Sequence, residues 1–128
     1  MSNPEKPLER MTILVVEDEY LIALEAQHMM QDAGAEIVLL ANSVSEVHKL
    51  LDEGPKIDAA ILDLKLGSED ARPLMGVFTS RAIPFLLTTG FDGAAPQGVR
   101  VLTKPYREAE FIDAVIELVH GRRPPQEP

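Results

Sequence analysis

The chain has 128 residues, 45% of them hydrophobic, which suits one domain able to pack its own core. Aromatics make up 5% and Trp and Cys are absent, so the core must be aliphatic, and disulfides and thiolate metal sites are excluded. Twelve basic against 21 acidic residues give a formal charge of -9, which argues against nucleic acid or anionic membranes as partners without a basic patch; the one adjacent basic pair is Arg122-Arg123, near the end of the sequence.

Residues 1–10 carry Pro4 and Pro7 and read as a flexible lead-in without the apolar stretch of a signal peptide. The first apolar run is Ile13–Val16, a strand. A helix follows over 19–33, with Ile22, Ala26, Met29 and Ala33 at helical spacing and Gly34 to end it. The run Ile37–Ala41 predicts a second strand. Ser43 with Glu46 forms a capping box for a helix that Gly54-Pro55 stops. Ala59–Leu62 is a third strand. Asp70 is placed to cap a helix with Pro73 in its first turn, running to about Arg81. Phe85–Leu87 and the weaker Val99–Leu102 are the last two strands. A final helix over 107–120 sets Phe111, Val115, Leu118 and Val119 on one face. The domain is expected to span 11–121, with a Pro-rich, disordered tail over 122–128. No apolar run is long enough to cross a bilayer, so a soluble, cytoplasmic protein is expected.

Near-continuous apolar strands alternating with helices imply a doubly wound parallel sheet covered on both faces. The stretch between Thr89 and Val99 is too short and too rich in glycine for an ordinary crossover, so the fourth helix is expected to be short or missing.

In such sheets, ligands sit outside the carboxyl ends of the strands. The strand ends here deliver Glu17-Asp18-Glu19, Asp63, Thr88-Thr89 and Lys104-Pro105. Clustered carboxylates without nearby His or Cys call for a hard cation, and Mg2+ suits because it accepts carboxylates, waters and phosphate oxygens. An ionised Asp63 beside such an ion could attack phosphorus, with hydroxyl and ammonium sharing the charge of the phosphoryl oxygens. Asp18 could instead cap the first helix and Glu17 could be solvated. Thr88 competes with Thr89, since successive strand residues face opposite ways; Thr89, next to Gly90, is the choice. His28, His48 and His120 fit no metal spacing.

MTILVVEDE, ILDLKLG, FLLTTGF and LTKPY resemble the four signature segments of bacterial response-regulator receiver domains, over about residues 11–120. The resemblance implies a flavodoxin-like (βα)5 fold with strand order 2-1-3-4-5. It implies Glu17 and Asp18 as the acidic metal pair, Asp63 as phosphoacceptor and the backbone carbonyl of Lys65 as a further Mg2+ ligand. It also implies Thr89 and Gly90 as the switch segment, Lys104 as the phosphate-pairing lysine and a cis bond before Pro105. The Pro84–Gly90 segment is similar to the "FAT GUY" subgroup of stand-alone receivers, which suggests a stress-response role. Thr88 stands where that subgroup has Ala, and Val101 where the wider family has an aromatic switch.

By the same resemblance, a histidine kinase or a His phosphotransfer protein is the expected phosphodonor. The output is a protein contact or a relay, from a monomer or a phosphorylation-dependent dimer. Leu21, Leu24 and Tyr106 are candidate docking residues, and Lys65 and Phe91 occupy positions that tune phosphoryl lifetime. The expected domain is not an enzyme beyond slow self-dephosphorylation. A phosphorylation-independent pseudo-receiver is the alternative. An aspartyl phosphohydrolase fits less well, because Lys65 stands where such enzymes carry a second Asp; the absence of a GxxxxGK[ST] loop argues against a nucleotide triphosphatase.

Overall fold

The computed structural model describes residues 6–90 and 98–120. Five parallel strands form the sheet: β1 (Thr12–Val16), β2 (Ile37–Ala41), β3 (Ala59–Asp63), β6 (Phe85–Thr89) and β7 (Val101–Thr103), in the order β2-β1-β3-β6-β7. Counted without the small ribbon β4 (Lys65–Leu66) and β5 (Glu69–Asp70), this is the expected 2-1-3-4-5 order of a flavodoxin-like fold. The ribbon was not foreseen. It is a hairpin around Gly67 and Ser68, with Gly67 at φ +58, a backbone conformation that glycine adopts without steric cost.

The helices are α1 (Tyr20–Asp32), α2 (Val44–Glu53), α3 (Pro73–Ser80) and α4 (Glu108–His120). Strand alternation divides the core in two. Ile13, Val15, Ala59, Ile61, Leu86 and Leu102 face α1 and α4; Leu14, Val16, Ala60, Leu62 and Leu87 face α2 and α3. The fourth crossover expected to be short falls on 91–97, and the proposed tail on 122–128; both lie outside the described residues.

Several local expectations change. The lead-in packs against the domain from residue 6: Leu8 is fully buried, its N–H bonds the Ala33 carbonyl at 2.9 Å, and Glu9 bridges to Ala35. A single leucine among polar and proline residues carries no periodicity, so only the hollow between β2 and the end of α1 reveals its place. In α1 the buried stripe is Ala23, Ala26, Met29 and Met30, while Ile22 and Ala33 are half-buried at its flanks. Asp70 does not cap α3. Its carboxylate accepts from Arg72 N–H and from the Arg72 guanidinium, and the helix starts at Pro73 with Arg72 as cap residue. Ser43 does cap α2, accepting from Glu46 N–H at 3.2 Å; Glu46 in return accepts from Asn42 N–H rather than from Ser43.

Candidate functional site

All four functional strand ends open at one edge of the sheet. β1 and β3 are adjacent, so the residues after Val16 and Leu62 come together: the registered pair is followed by Glu17 beside Asp63. Ligand oxygens of Glu17, Asp18 and Asp63 lie within 4.8 Å of one another, the one such acidic group among the described residues. Glu17 and Asp63 are buried, and Asp18 is exposed at the rim.

Hydrogen bonds aim each carboxylate. Glu17 Oε2 accepts from Glu19 N–H (3.1 Å), Asp63 Oδ1 from Lys65 N–H (3.0 Å) and Asp18 Oδ2 from Gly67 N–H (2.8 Å). Asp18 therefore makes no cap for α1, whose cap residue is Glu19 without a side-chain bond, and Glu17 is not solvated. The ribbon orients Lys65. Ala71 N–H bonds the Leu64 carbonyl, so Lys65 and Asp70 form the next, non-hydrogen-bonded pair, and the main-chain groups of Lys65 point away from β5. Its N–H reaches Asp63, and its carbonyl leaves the strand on that same side.

Lys104 closes the site from β7. Its Nζ donates to Glu17 Oε1 and to Asp63 Oδ2, each at 2.9 Å. The Lys104–Pro105 bond is cis, as expected. Burial pushes the Glu17 carboxyl up to about 7; the Lys104 ammonium and Glu19 N–H counter this in part, and the Asp63 charge adds to it. For Lys104, burial works against the charge, but the bonds to Asp63 and Glu17 outweigh it and hold the ammonium above its usual range.

An open cavity of about 260 Å³ lies over these groups, lined by Asp18, Glu19, Asp63, Lys65, Gly67, Thr89, Gly90 and Lys104. Thr89 thus reaches the cavity, whereas Thr88 is buried below it. The site combines oxygen ligands suited to a hard dication with an ammonium and a hydroxyl suited to phosphoryl oxygens. The hairpin that sets Lys65 and Gly67 is what sequence reasoning missed; the Leu66-Gly67-Ser68-Glu69 step was its only trace.

The docking candidates separate. Leu21 is 78% exposed, its neighbour Tyr20 68%, and Leu24 is half-buried. Tyr106 is half-buried and stacked on Phe111, with ring centroids 5.3 Å apart, so one ring face is used inside the domain. No helix among the described residues is long and apolar enough to cross a membrane.

No protein-family model matches the chain. It is 24% identical over 111 residues to the phyllosphere-induced regulator PhyR of Methylorubrum extorquens, covering 81% of this chain and 41% of that protein, so it spans well under half of that relative's length. Among solved structures it is similar to a response regulator receiver protein from Sinorhizobium medicae, with a TM-score of 0.78, 25% identity, and coverage of 91% of this chain and 99% of that one. It is also similar to SdrG from Sphingomonas melonis, with a TM-score of 0.71, 30% identity, and coverage of 86% and 97%. With these relatives, the five-stranded order and the strand-end residues, the chain belongs to the response-regulator receiver domains.

Proposed function

We propose that the domain accepts a phosphoryl group on Asp63 from the phospho-His of a histidine kinase or phosphotransfer protein, and signals through protein contacts or passes the group on. The observation that carries this reading is the convergence of three carboxylates within 4.8 Å with Lys104 bonded to two of them. Glu17, Asp18, Asp63 and the Lys65 carbonyl fit a magnesium ion, all being hard oxygen donors. When bound, the ion would neutralise charge on the carboxylates and on the incoming phosphoryl oxygens.

The chain's own groups do the rest. One Asp63 oxygen forms the bond to phosphorus as the P–N bond of the donor breaks, and the imidazole leaves with the electron pair. Lys104 follows the negative charge from the carboxylate to the phosphoryl oxygens, and Thr89, with the backbone at Gly90, faces them across the cavity. Slow reset is attack of water on phosphorus with the Asp63 carboxylate leaving. Tyr20, Leu21 and Leu24 beside the cavity rim give the phosphodonor an apolar surface on α1. The Pro84–Gly90 segment supports the stand-alone "FAT GUY" subgroup and, with it, a cytoplasmic stress-response role.

The test is incubation with phosphoramidate and Mg2+, read by intact mass. One added phosphoryl group is expected, absent without the metal and absent in Asp63→Asn. Labelling that persists in Asp63→Asn would place the acceptor elsewhere.

A further inference from the structure

The β4–β5 ribbon lies across the carboxyl edge of the sheet as a strap. It leaves β3 just after Asp63, and β3, β1 and β2 stand side by side in that order. Lys65 N–H holds Asp63 at the end of β3. At the turn, Gly67 N–H holds Asp18, just beyond β1, at 2.8 Å. On the returning strand, the Glu69 carboxylate accepts from Val44 N–H, in the first turn of α2 beyond β2, at 3.1 Å. The strap thus touches the three strand ends in turn, and two of these contacts are to carboxylates of the acidic notch.

The base and the tip of the strap are held differently. Leu66 is buried in the core half that faces α2 and α3, which fixes the base. Gly67, Ser68 and Glu69 are exposed, so packing does little to hold the tip. A ribbon of two residue pairs is marginal on its own. The tip therefore depends on Asp18 on one side and Val44 on the other. For α2 the Glu69 bond matters less. Ser43 already caps this helix by accepting from Glu46 N–H, and water can replace the carboxylate at the exposed Val44 bond.

We propose that Glu69 is a positioning residue of the metal site: by anchoring the ribbon tip to Val44, it keeps Gly67 N–H on Asp18 and the Lys65 carbonyl at the notch. This rests on the magnesium reading above. Asp18 is exposed, and the Gly67 N–H bond fixes the direction in which its carboxylate points. Without the Val44 anchor the tip is released, and Gly67 no longer holds Asp18 in one place. Ion binding must then gather the ligands itself. Apparent affinity falls by the fraction of molecules in which the tip is already seated. A Glu69 that served only as a second cap would change the stability of α2 and leave the affinity for the ion alone.

The test is a Mg2+ titration read by amide NMR shifts, at roughly 0.15 M salt, where exposed charges are screened. Glu69→Ala should raise the Mg2+ Kd about fivefold, the equilibrium effect of one such hydrogen bond. Glu69→Gln keeps an oxygen that can accept from Val44 N–H and should stay within twofold of wild type. Ser43→Ala loosens the same helix end without touching the ribbon; it should lower the melting temperature and leave the Kd unchanged. Glu69→Ala within twofold of wild type overturns the proposal. So does a Gln variant as weak as Ala, which assigns the effect to charge alone, or a Ser43→Ala variant as weak, which assigns it to α2. Wild type without Mg2+-dependent shifts around Asp18 and Asp63 defeats the magnesium reading, and this inference with it. Wild type that binds Mg2+ while Glu69→Ala matches it defeats only the role of Glu69.

Discussion

Arg72 and Lys104 each hold a carboxylate at nearly the same distance, 3.0 Å for Asp70 and 2.9 Å for Asp63, in settings that share little else. The Arg72 and Asp70 side chains are 70% and 54% exposed; those of Lys104 and Asp63 are 18% and 9% exposed. In water the first pair is screened and loses side-chain entropy to keep its geometry, so it adds little to stability. The second pair sits where charge is costly to desolvate, and a third charged group, Glu17, shares it. Two carboxylates side by side at a buried sheet edge would be a defect in a domain selected for stability alone. On the phosphoacceptor reading proposed above, they are a site kept ready for a cation and a phosphoryl group, with Lys104 as the resting counter-charge.

Removing Lys104 is the strongest way to sharpen this contrast. Lys104→Ala leaves Glu17 and Asp63 facing each other without a cation, and metal-free stability should fall by about 3 kcal/mol in urea denaturation. Added Mg2+ should restore more stability to this variant than it adds to wild type. A variant as stable as wild type without metal would show that the buried pair is not strained.

A smaller effect follows from Glu17. Its carboxyl is raised in the folded state, from 4.5 to about 7, so the protonated form is the one the fold prefers. Its contribution to metal-free stability is complete below about pH 4.5 and is lost as pH rises through about 7, a change on the order of 2 kcal/mol. Denaturation at pH 5 and pH 8 should show this as an excess slope over Glu17→Gln, and Mg2+ at pH 8 should cancel it. Equal slopes in the two proteins would remove burial as the governing cause.

The smallest effect is expected at the exposed pair. Arg72→Ala should leave melting temperature and phosphoramidate labelling unchanged, because both partners stay solvated when separated. A clear loss in either would mean that the β4–β5 ribbon depends on this pair for its shape.

Much of the site can be read before folding. Asp63 and Lys104 each stand at the end of a short apolar run, and a parallel sheet has only one edge where such ends can meet. Glu17 and Asp18 differ instructively. As neighbours in the chain they read alike, Asp18 open to capping a helix and Glu17 to lying in solvent. Their difference comes from strand alternation at a sheet edge: Glu17 turns inward beside Lys104 and Asp18 outward to Gly67. The Lys65–Asp70 ribbon stayed hidden because two-residue strands carry no measurable alternation. Asp70 was misassigned for a related reason. An Asp just before Pro73 has the chemistry of a helix cap, and only the turn geometry shows its oxygens engaged by Arg72.

From the sequence alone follow the alternation of apolar runs and helices, and therefore the parallel α/β class, together with the carboxylates, hydroxyls and lysine that end the strands. Those are local properties, set by residue spacing and by caps within a few positions. Strand adjacency decided the rest: Asp63 beside Glu17 on one side and Thr88 on the other, Lys104 reaching across β6, and Leu8 closing the far end of the core. Burial and pairing depend on neighbours distant in the chain, and only the folded sheet supplies them.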